Sequence, residues 1–167
     1  RASQQASDYM VLPAGPHQIS LLPVDKKTNT LTTRLEVVRG RAMTVAFVSN
    51  QTSVAPILFE DKTSTNRLKA MLNVYQLAAK QQAFDILTGD GATKVFSALA
   101  YGASAGLQVN PISVELMATK PGEKVALVKA SVVMAQGDAY SVFLLPGKDG
   151  KPISSVVQNK IERYSGK

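Results

Sequence analysis

The sequence predicts an all-β protein built as two tandem small antiparallel β-sandwich domains, residues 1–62 and 63–167. Three features carry that expectation. Apolar residues alternate with polar ones in short runs, the pattern of strands with one buried and one wet face. Clusters of Gly, Pro, Asn and Asp interrupt those runs roughly every eight to twelve residues, the turn spacing of sandwiches. Hydrophobic residues make up 45% of the 167 and charged residues 19%, a balance that builds a core rather than a disordered segment.

The first run, Asp8 to Leu12, ends at Pro13-Ala14-Gly15-Pro16. His17 to Leu22 follows, with Ile19 and Leu21 on one face, and the polar stretch Asp25 to Thr30 reads as a turn. Arg34-Leu35-Glu36-Val37 alternates. Arg39-Gly40-Arg41 makes a tight connection in which Gly40 can supply positive φ. Met43 to Val48 and Ala55 to Glu60 are the next strands. Glu60 to Asn66 lacks large apolar residues and marks the domain boundary.

Arg67 to Leu87 leaves helix and strand both open. Leu68, Met71 or Leu72, and Tyr75 fall at helical spacing, while Leu72, Val74 and Gln76 against Asn73 and Tyr75 suit a strand. The hairpin turn Thr88-Gly89-Asp90-Gly91 favours strand, because it needs a strand on each side. Ala83 to Leu87, Val95 to Ala100, Leu107 to Val109, Ile112 to Thr119, Val125 to Ala135 and Ala139 to Leu145 continue the pattern. Lys120-Pro121-Gly122-Glu123 and Pro146 to Gly150 punctuate it, Ile153 to Ile161 supplies a last strand, and Arg163 to Lys167 is expected to fray.

Two stretches echo one another. Gly40-Arg41-Ala42-Met43-Thr44-Val45 resembles Gly137-Asp138-Ala139-Tyr140-Ser141-Val142, 97 residues later. Pro13 with Ile19-Ser20-Leu21 has a counterpart in Pro111 with Ile112-Ser113-Val114. Self-similarity at a fixed offset reads as duplication, against the plainer reading that any two hairpins look alike. Nothing ahead of Asp8 matches the two strands expected over Arg67 to Ala100. The first copy is therefore expected to lack an opening hairpin and to leave a sheet edge unpaired.

The formal net charge is +7, with ten basic against five acidic residues over 1–83 and nine against seven over 84–167. Such a surface suits anionic partners. The basic residues are scattered and aromatics are 6%, which argues against nucleic acid, whose binders cluster cations and stacking rings. There is no cysteine, so disulfides and thiolate chemistry are excluded. No apolar run approaches the ~18 residues of a membrane span. The chain opens at Arg1 without Met, and we expect a signal peptide to have been removed from it.

The sequence predicts no catalytic residue, no metal site and no cofactor. His17 is the only histidine and reads as structural, since no Gly-x-Ser-x-Gly elbow presents a nucleophile to it. One His and no Cys do not make a zinc site, and Asp85, Asp90 and Asp138 are too scattered for a calcium loop. Thr88-Gly89-Asp90-Gly91 lacks the Lys and Ser/Thr of a phosphate loop. Glu60 and Asp61 read as solvated linker charges. The candidate binding residues are Arg39 and Arg41, flanking Gly40, and Arg67 and Lys69, opening the second domain. Arginine forks suit carboxylates, although ordinary solubilising charge is the plainer reading.

Ser7-Asp8-Tyr9-Met10-Val11-Leu12-Pro13-Ala14-Gly15 resembles the aromatic-then-Pro-Gly hairpin of the AlgF family of alginate O-acetylation accessory proteins. Arg34 to Val48, Leu72 to Ala100 and Asn110-Pro111-Ile112-Ser113-Val114-Glu115-Leu116 are similar to later elements of that family, in the same order. The absent amino-terminal hairpin and the longer Asp25 to Thr30 turn depart from it. The resemblance implies a periplasmic, non-catalytic adaptor in exopolysaccharide O-acetylation. Its partners would be acetyltransferase proteins of the polymer-modifying complex and an anionic polysaccharide. The alternatives are a polysaccharide-binding module, disfavoured by the absence of Trp, and a structural or chaperone-like periplasmic protein.

Overall fold

The computed structural model describes residues 6–22, 31–49 and 54–160. Their strands are β1 (Gly15–Leu21), β2 (Leu31–Val37), β3 (Ala42–Ser49), β4 (Val54–Asp61), β5 (Ala70–Gln76) and β6 (Phe84–Thr88). They continue as β7 (Lys94–Leu99), β8 (Ser104–Val109), β9 (Ser113–Thr119), β10 (Val128–Val133), β11 (Ala139–Pro146) and β12 (Pro152–Asn159). One 3-10 turn, Lys148–Gly150, joins the last two, and the described residues contain no α-helix. The chain is therefore all-β. Its four small sheets fall into two groups, as the alternation predicts.

The later group is a sandwich of two four-stranded sheets, ordered β10-β9-β6-β7 and β12-β11-β5-β8. Leu72, Val74, Phe84, Ile86, Val132 and Val142 meet in the core between them. All pairings are antiparallel except β11 with β5, which is parallel. All seven residues of β5 are buried. A strand covered on both faces carries apolar residues at both parities and loses its alternation, which is why its sequence also fits a helix. The turn after β6 settles the matter as predicted. The Thr88 hydroxyl donates to Asp90 Oδ1 at 2.6 Å, Asp90 Oδ1 accepts from the Ala92 N–H at 2.9 Å, and Gly91 takes φ +70°.

The earlier group is two hairpins, β1–β2 and β3–β4, each a two-stranded sheet among the described residues. The β3–β4 hairpin lies on the outer face of β5 and β11. Phe59 meets Tyr75 edge-on at 5.1 Å between centroids, and Tyr75 stacks on Phe143 at 4.7 Å. Ala46, Val48, Ile57, Leu77 and Leu145 complete this cluster. Aromatic pairs of this kind add about 0.5–1.5 kcal/mol each beyond the area they bury. Between the groups, the Asn73 amide imitates a strand edge. Its Oδ1 accepts from the Lys62 N–H at 3.2 Å and its Nδ2 donates to the Lys62 carbonyl at 3.1 Å.

The internal echo extends to whole strands. The starts of β1, β2, β3 and β4 recur in β9, β10, β11 and β12 at offsets of 97 or 98 residues. In both copies the first two strands and the last two strands form antiparallel hairpins. Ala42 pairs with Asp61 in the first copy, and Ala139 with Asn159 at the matching positions of the second. The turns before β3 and β11 carry Gly40 at φ +80° and Gly137 at φ +79°. Over Arg67 to Ala100 the second copy has three strands, β5–β7, where the sequence suggested two, and β8, expected from Leu107, follows before β9.

Some boundaries differ from expectation. Asp8 to Leu12 is not a strand: only Tyr9 is bridged, its N–H donating to the Lys160 carbonyl at 2.8 Å. Met10 and Val11 are consequently exposed. Strand β8 begins earlier than Leu107 because small residues, Ser104-Ala105-Gly106, pair closely with Asn73, Val74 and Tyr75. Pro146 to Gly150 turns as expected. The Asp25 to Thr30 turn and the tail from Arg163 lie outside the described residues.

Candidate functional site

Asp61, which reads in sequence as a solvated linker charge, ends β4 with only 7% of its surface exposed. Strand alternation explains the difference. Phe59 and Asp61 share the inward parity, while Glu60 points out and pairs with Arg41 at 3.2 Å, both side chains more than half exposed. The Asp61 carboxylate accepts three hydroxyl hydrogen bonds. Tyr9 donates to Oδ2 at 2.5 Å, Thr44 donates to Oδ2 at 2.6 Å, and Tyr75 donates to Oδ1. These donors come from the amino-terminal segment, β3 and β5, so one carboxylate ties three parts of the chain together.

The electrostatics follow from burial and that shared acceptor. Burial first, then the hydrogen bond to Asp61, pushes the Tyr9 hydroxyl up to about 12. The same causes, in the same order, push Tyr75 further. Both phenols are thus held protonated as donors and do not serve as bases near neutral pH.

The second copy repeats part of this arrangement. The Ser141 hydroxyl donates to Asn159 Oδ1 at 2.9 Å, at the positions matching Thr44 and Asp61. Continued past Val45 to the end of the next strand, the echo aligns Asp61 with Asn159 at an offset of 98, but it does not name the hydroxyls that meet them.

A second buried carboxylate, Asp85 on β6, accepts from the Ala98 N–H at 2.8 Å and the Gly122 N–H at 3.0 Å, and pairs with Lys94 at 2.7 Å. Lys94, then these backbone donors, lowers its carboxyl to about 2. Ala98 takes φ +46° beside the irregular β6–β7 register, which turns its N–H toward Asp85. Asp85 therefore fastens two turns rather than offering a reactive group.

The basic candidates fall into two pairs. Arg39 and Arg41 flank Gly40 between β2 and β3. Arg67 and Lys69 lie in the turn entering β5, where the Lys69 carbonyl accepts from the Gly137 N–H at 2.9 Å. Each pair thus attends the glycine turn of its own copy. No hydrogen bond or ion pair among the described residues joins the two pairs.

His17 Nε2 lies 2.7 Å from the Pro13 carbonyl, which fixes the turn into β1. Among the described residues, no group of three His, Asp or Glu side chains is placed to hold a metal ion. Every buried side-chain nitrogen or oxygen there has a partner. A hollow of about 390 Å³ opens at one end of the later sandwich, lined by Phe84, Leu127, Lys120 and Lys151 among others. Its wall is ordered by Gln76, whose Oε1 accepts from the Ala78 and Ala79 N–H groups and whose Nε2 donates to the Gln82 carbonyl at 2.8 Å.

The family model described as alginate O-acetyl transferase AlgF matches residues 1–141. This chain belongs to the AlgF family. A solved structure of the C-terminal domain of AlgF from P. aeruginosa is 25% identical to it, with a TM-score of 0.45. That match covers 55% of this chain and 99% of the solved one. No curated protein matches. The AlgF family's description ties the chain to alginate O-acetylation. No helix among the described residues of this AlgF-family chain is long and apolar enough to cross a membrane.

Proposed function

We propose that the protein is a non-catalytic periplasmic adaptor in the O-acetylation of an alginate-like exopolysaccharide, docking the acetyltransferase proteins that carry out the transfer. The family match supports the process. The observation that carries the adaptor reading is how the polar groups are used. The only imidazole sits against a backbone carbonyl, and both buried carboxylates are saturated by structural donors. A nucleophile–base pair needs a base within hydrogen-bond reach of a hydroxyl or thiol, and the described residues devote these groups to holding turns and sheets.

The test has two arms. Purified protein is assayed for acetylesterase activity on p-nitrophenyl acetate and for acetyl transfer to alginate; no turnover above buffer is expected, and measurable turnover overturns the non-catalytic reading. The tagged protein is also mixed with each acetyltransferase of the same complex. A stable co-eluting complex with at least one is expected, and elution of every pair as separate species overturns the adaptor reading.

A second reading, direct contact with an acidic polymer, is favoured by Lys120 and Lys151 lining the hollow of the later sandwich. Calorimetry with alginate tests it. Loss of binding heat on Lys120→Glu would support it, and absence of heat with the unaltered protein would end it.

A further inference from the structure

The hollow at the end of the later sandwich is bounded by three loops. Residues 77–83 join β5 to β6, residues 120–127 join β9 to β10, and residues 147–151 join β11 to β12. Each loop contributes a wall, so both sheets of the sandwich hold the site. Its volume of about 390 Å³ falls in the ~300–1,000 Å³ range of ligand pockets. The loop after β5 is fixed by the buried Gln76 side chain, which bonds the backbone of Ala78, Ala79 and Gln82. The wall is therefore formed before anything enters, which spares a ligand the cost of ordering it.

The lining is divided by chemistry. Ala79, Ala126, Leu127 and Pro152 supply aliphatic surface. Each sheet adds one cation: Lys120 follows β9, and Lys151 precedes β12. Among the described residues no carboxylate lines the hollow, and neither lysine pairs with one. In sequence the three loops hold five lysines, Lys80, Lys120, Lys124, Lys148 and Lys151, against two acids, Glu123 and Asp149. Uncompensated cations around an aliphatic pocket suit an anionic ligand with an apolar part.

A sugar chain matches this lining poorly. Phe84 is the one ring in it and is 1% exposed, so no aromatic face is open for stacking. Gln82 is the one uncharged polar side chain in it, and sugar hydroxyls set against aliphatic walls would lose hydrogen bonds to water without replacement. A Leu, Ile or Val side chain fills such walls at no polar cost. A second copy of this chain is disfavoured, since each carries a net charge of +7.

We propose that this hollow is the docking site for an acidic segment of the acetyltransferase partner. One aliphatic side chain of that segment seats against Ala79, Ala126 and Leu127, and flanking carboxylates pair with Lys120 and Lys151. This rests on the adaptor reading above and names its contact surface.

The test is calorimetric titration of the whole protein with the acetyltransferase that co-elutes with it. Lys120→Glu combined with Lys151→Glu should weaken binding at least tenfold, and the loss should shrink at high salt, where charge pairs are screened. Ala126→Phe fills the hollow and should weaken binding at least tenfold at either salt concentration. Arg39→Glu combined with Arg41→Glu makes the same charge change at the turn between β2 and β3 and should leave binding within twofold. Melting curves check that each variant is folded. Undiminished binding by a folded hollow variant overturns the site and leaves the adaptor reading standing. Equal weakening by the arginine pair does the same, because it reads net charge alone. Absence of any complex with the unaltered protein overturns the adaptor reading and the site with it. Should a variant not fold, amide spectra of the unaltered, isotope-labelled protein decide. The signals of Ala79, Gln82, Ala126, Leu127 and Lys151 should shift when the acetyltransferase is added, and shifts confined to other residues overturn the site. Shifts of these signals with alginate and none with the acetyltransferase overturn it in favour of the polymer.

Discussion

Replacing Asp61 measures what the shared carboxylate contributes. The side chain is 93% covered, and three hydroxyls donate to it from the amino-terminal segment, β3 and β5. A hydrogen bond to a charged acceptor is worth about 1.5–3 kcal/mol, so three of them at the lower bound give about 4.5 kcal/mol. Removing the carboxylate also relieves its own desolvation cost, of order 1 kcal/mol here, because the donors solvate it well. Asp61→Ala should therefore destabilise by about 3–4 kcal/mol, with the Tyr75 hydroxyl left buried as part of that cost. At about 2–4 °C per kcal/mol for a chain of this length, the melting temperature should fall by roughly 6–16 °C. Asp61→Asn keeps one acceptor oxygen and should cost about half as much. Differential scanning calorimetry at neutral pH reads both. The cycle of Asp61→Asn with Tyr75→Phe should give a coupling of at least about 1 kcal/mol. A loss below about 1 kcal/mol for Asp61→Ala, or additive behaviour in the cycle, would refute the clasp.

Three further outcomes are expected. Tyr9 and Tyr75 have raised folded values, so the stability they confer is complete below the ordinary tyrosine value near 10; the Tyr9 share is lost as pH rises through about 12 and the Tyr75 share only at still higher pH. Absorbance at 295 nm should show two fewer tyrosines titrating near pH 10 than in the unfolded chain, and a full complement there would contradict this. Asp85 has a lowered folded value, so its contribution is present above its ordinary value near 3.8 and drains as pH falls toward about 2. Asp85→Asn should flatten the stability–pH curve across that window and cost about 1–2 kcal/mol at pH 7, discounted for the half-exposed Lys94. Gly106→Ala would place a Cβ 2.5 Å from Asn73 Oδ1 and 2.6 Å from the Lys62 Cβ. It should loosen the join between the two groups of sheets by about 1–3 kcal/mol, read by urea denaturation.

Much of the architecture was legible because period-two alternation and turn chemistry are local signals. Gly40, Gly91 and Gly122 all take the positive φ that their turns require. The strand at Ala70–Gln76 was harder, since burial on both faces puts apolar residues at both parities, Ala70, Leu72 and Val74 with Met71 and Tyr75, and erases the alternation. The Asp8 to Leu12 run misled for another reason: Tyr9-Met10-Val11-Leu12 is apolar and strand-prone, but backbone pairing is supplied only at Tyr9. Asp61 and Asp85 were not legible as anchors. Their partners Tyr9, Thr44, Tyr75, Ala98 and Gly122 are brought in by the fold from distant positions, and no motif spans such separations.

The duplicated hairpin shows how one position separates the duties of the two copies. Thr44 with Asp61 and Ser141 with Asn159 are the same strand-end hydrogen bond at matching places. An asparagine at that place donates as well as accepts, and in the second copy the Ser141 hydroxyl is the partner its side-chain oxygen takes. A carboxylate only accepts, so in the first copy it draws further donors, Tyr9 from one side and Tyr75 of the other group from the second. The change from amide to carboxylate thus turns a local pairing into a tie between sheets. It holds the β3–β4 hairpin by its inward face, through Asp61, Phe59 and Thr44.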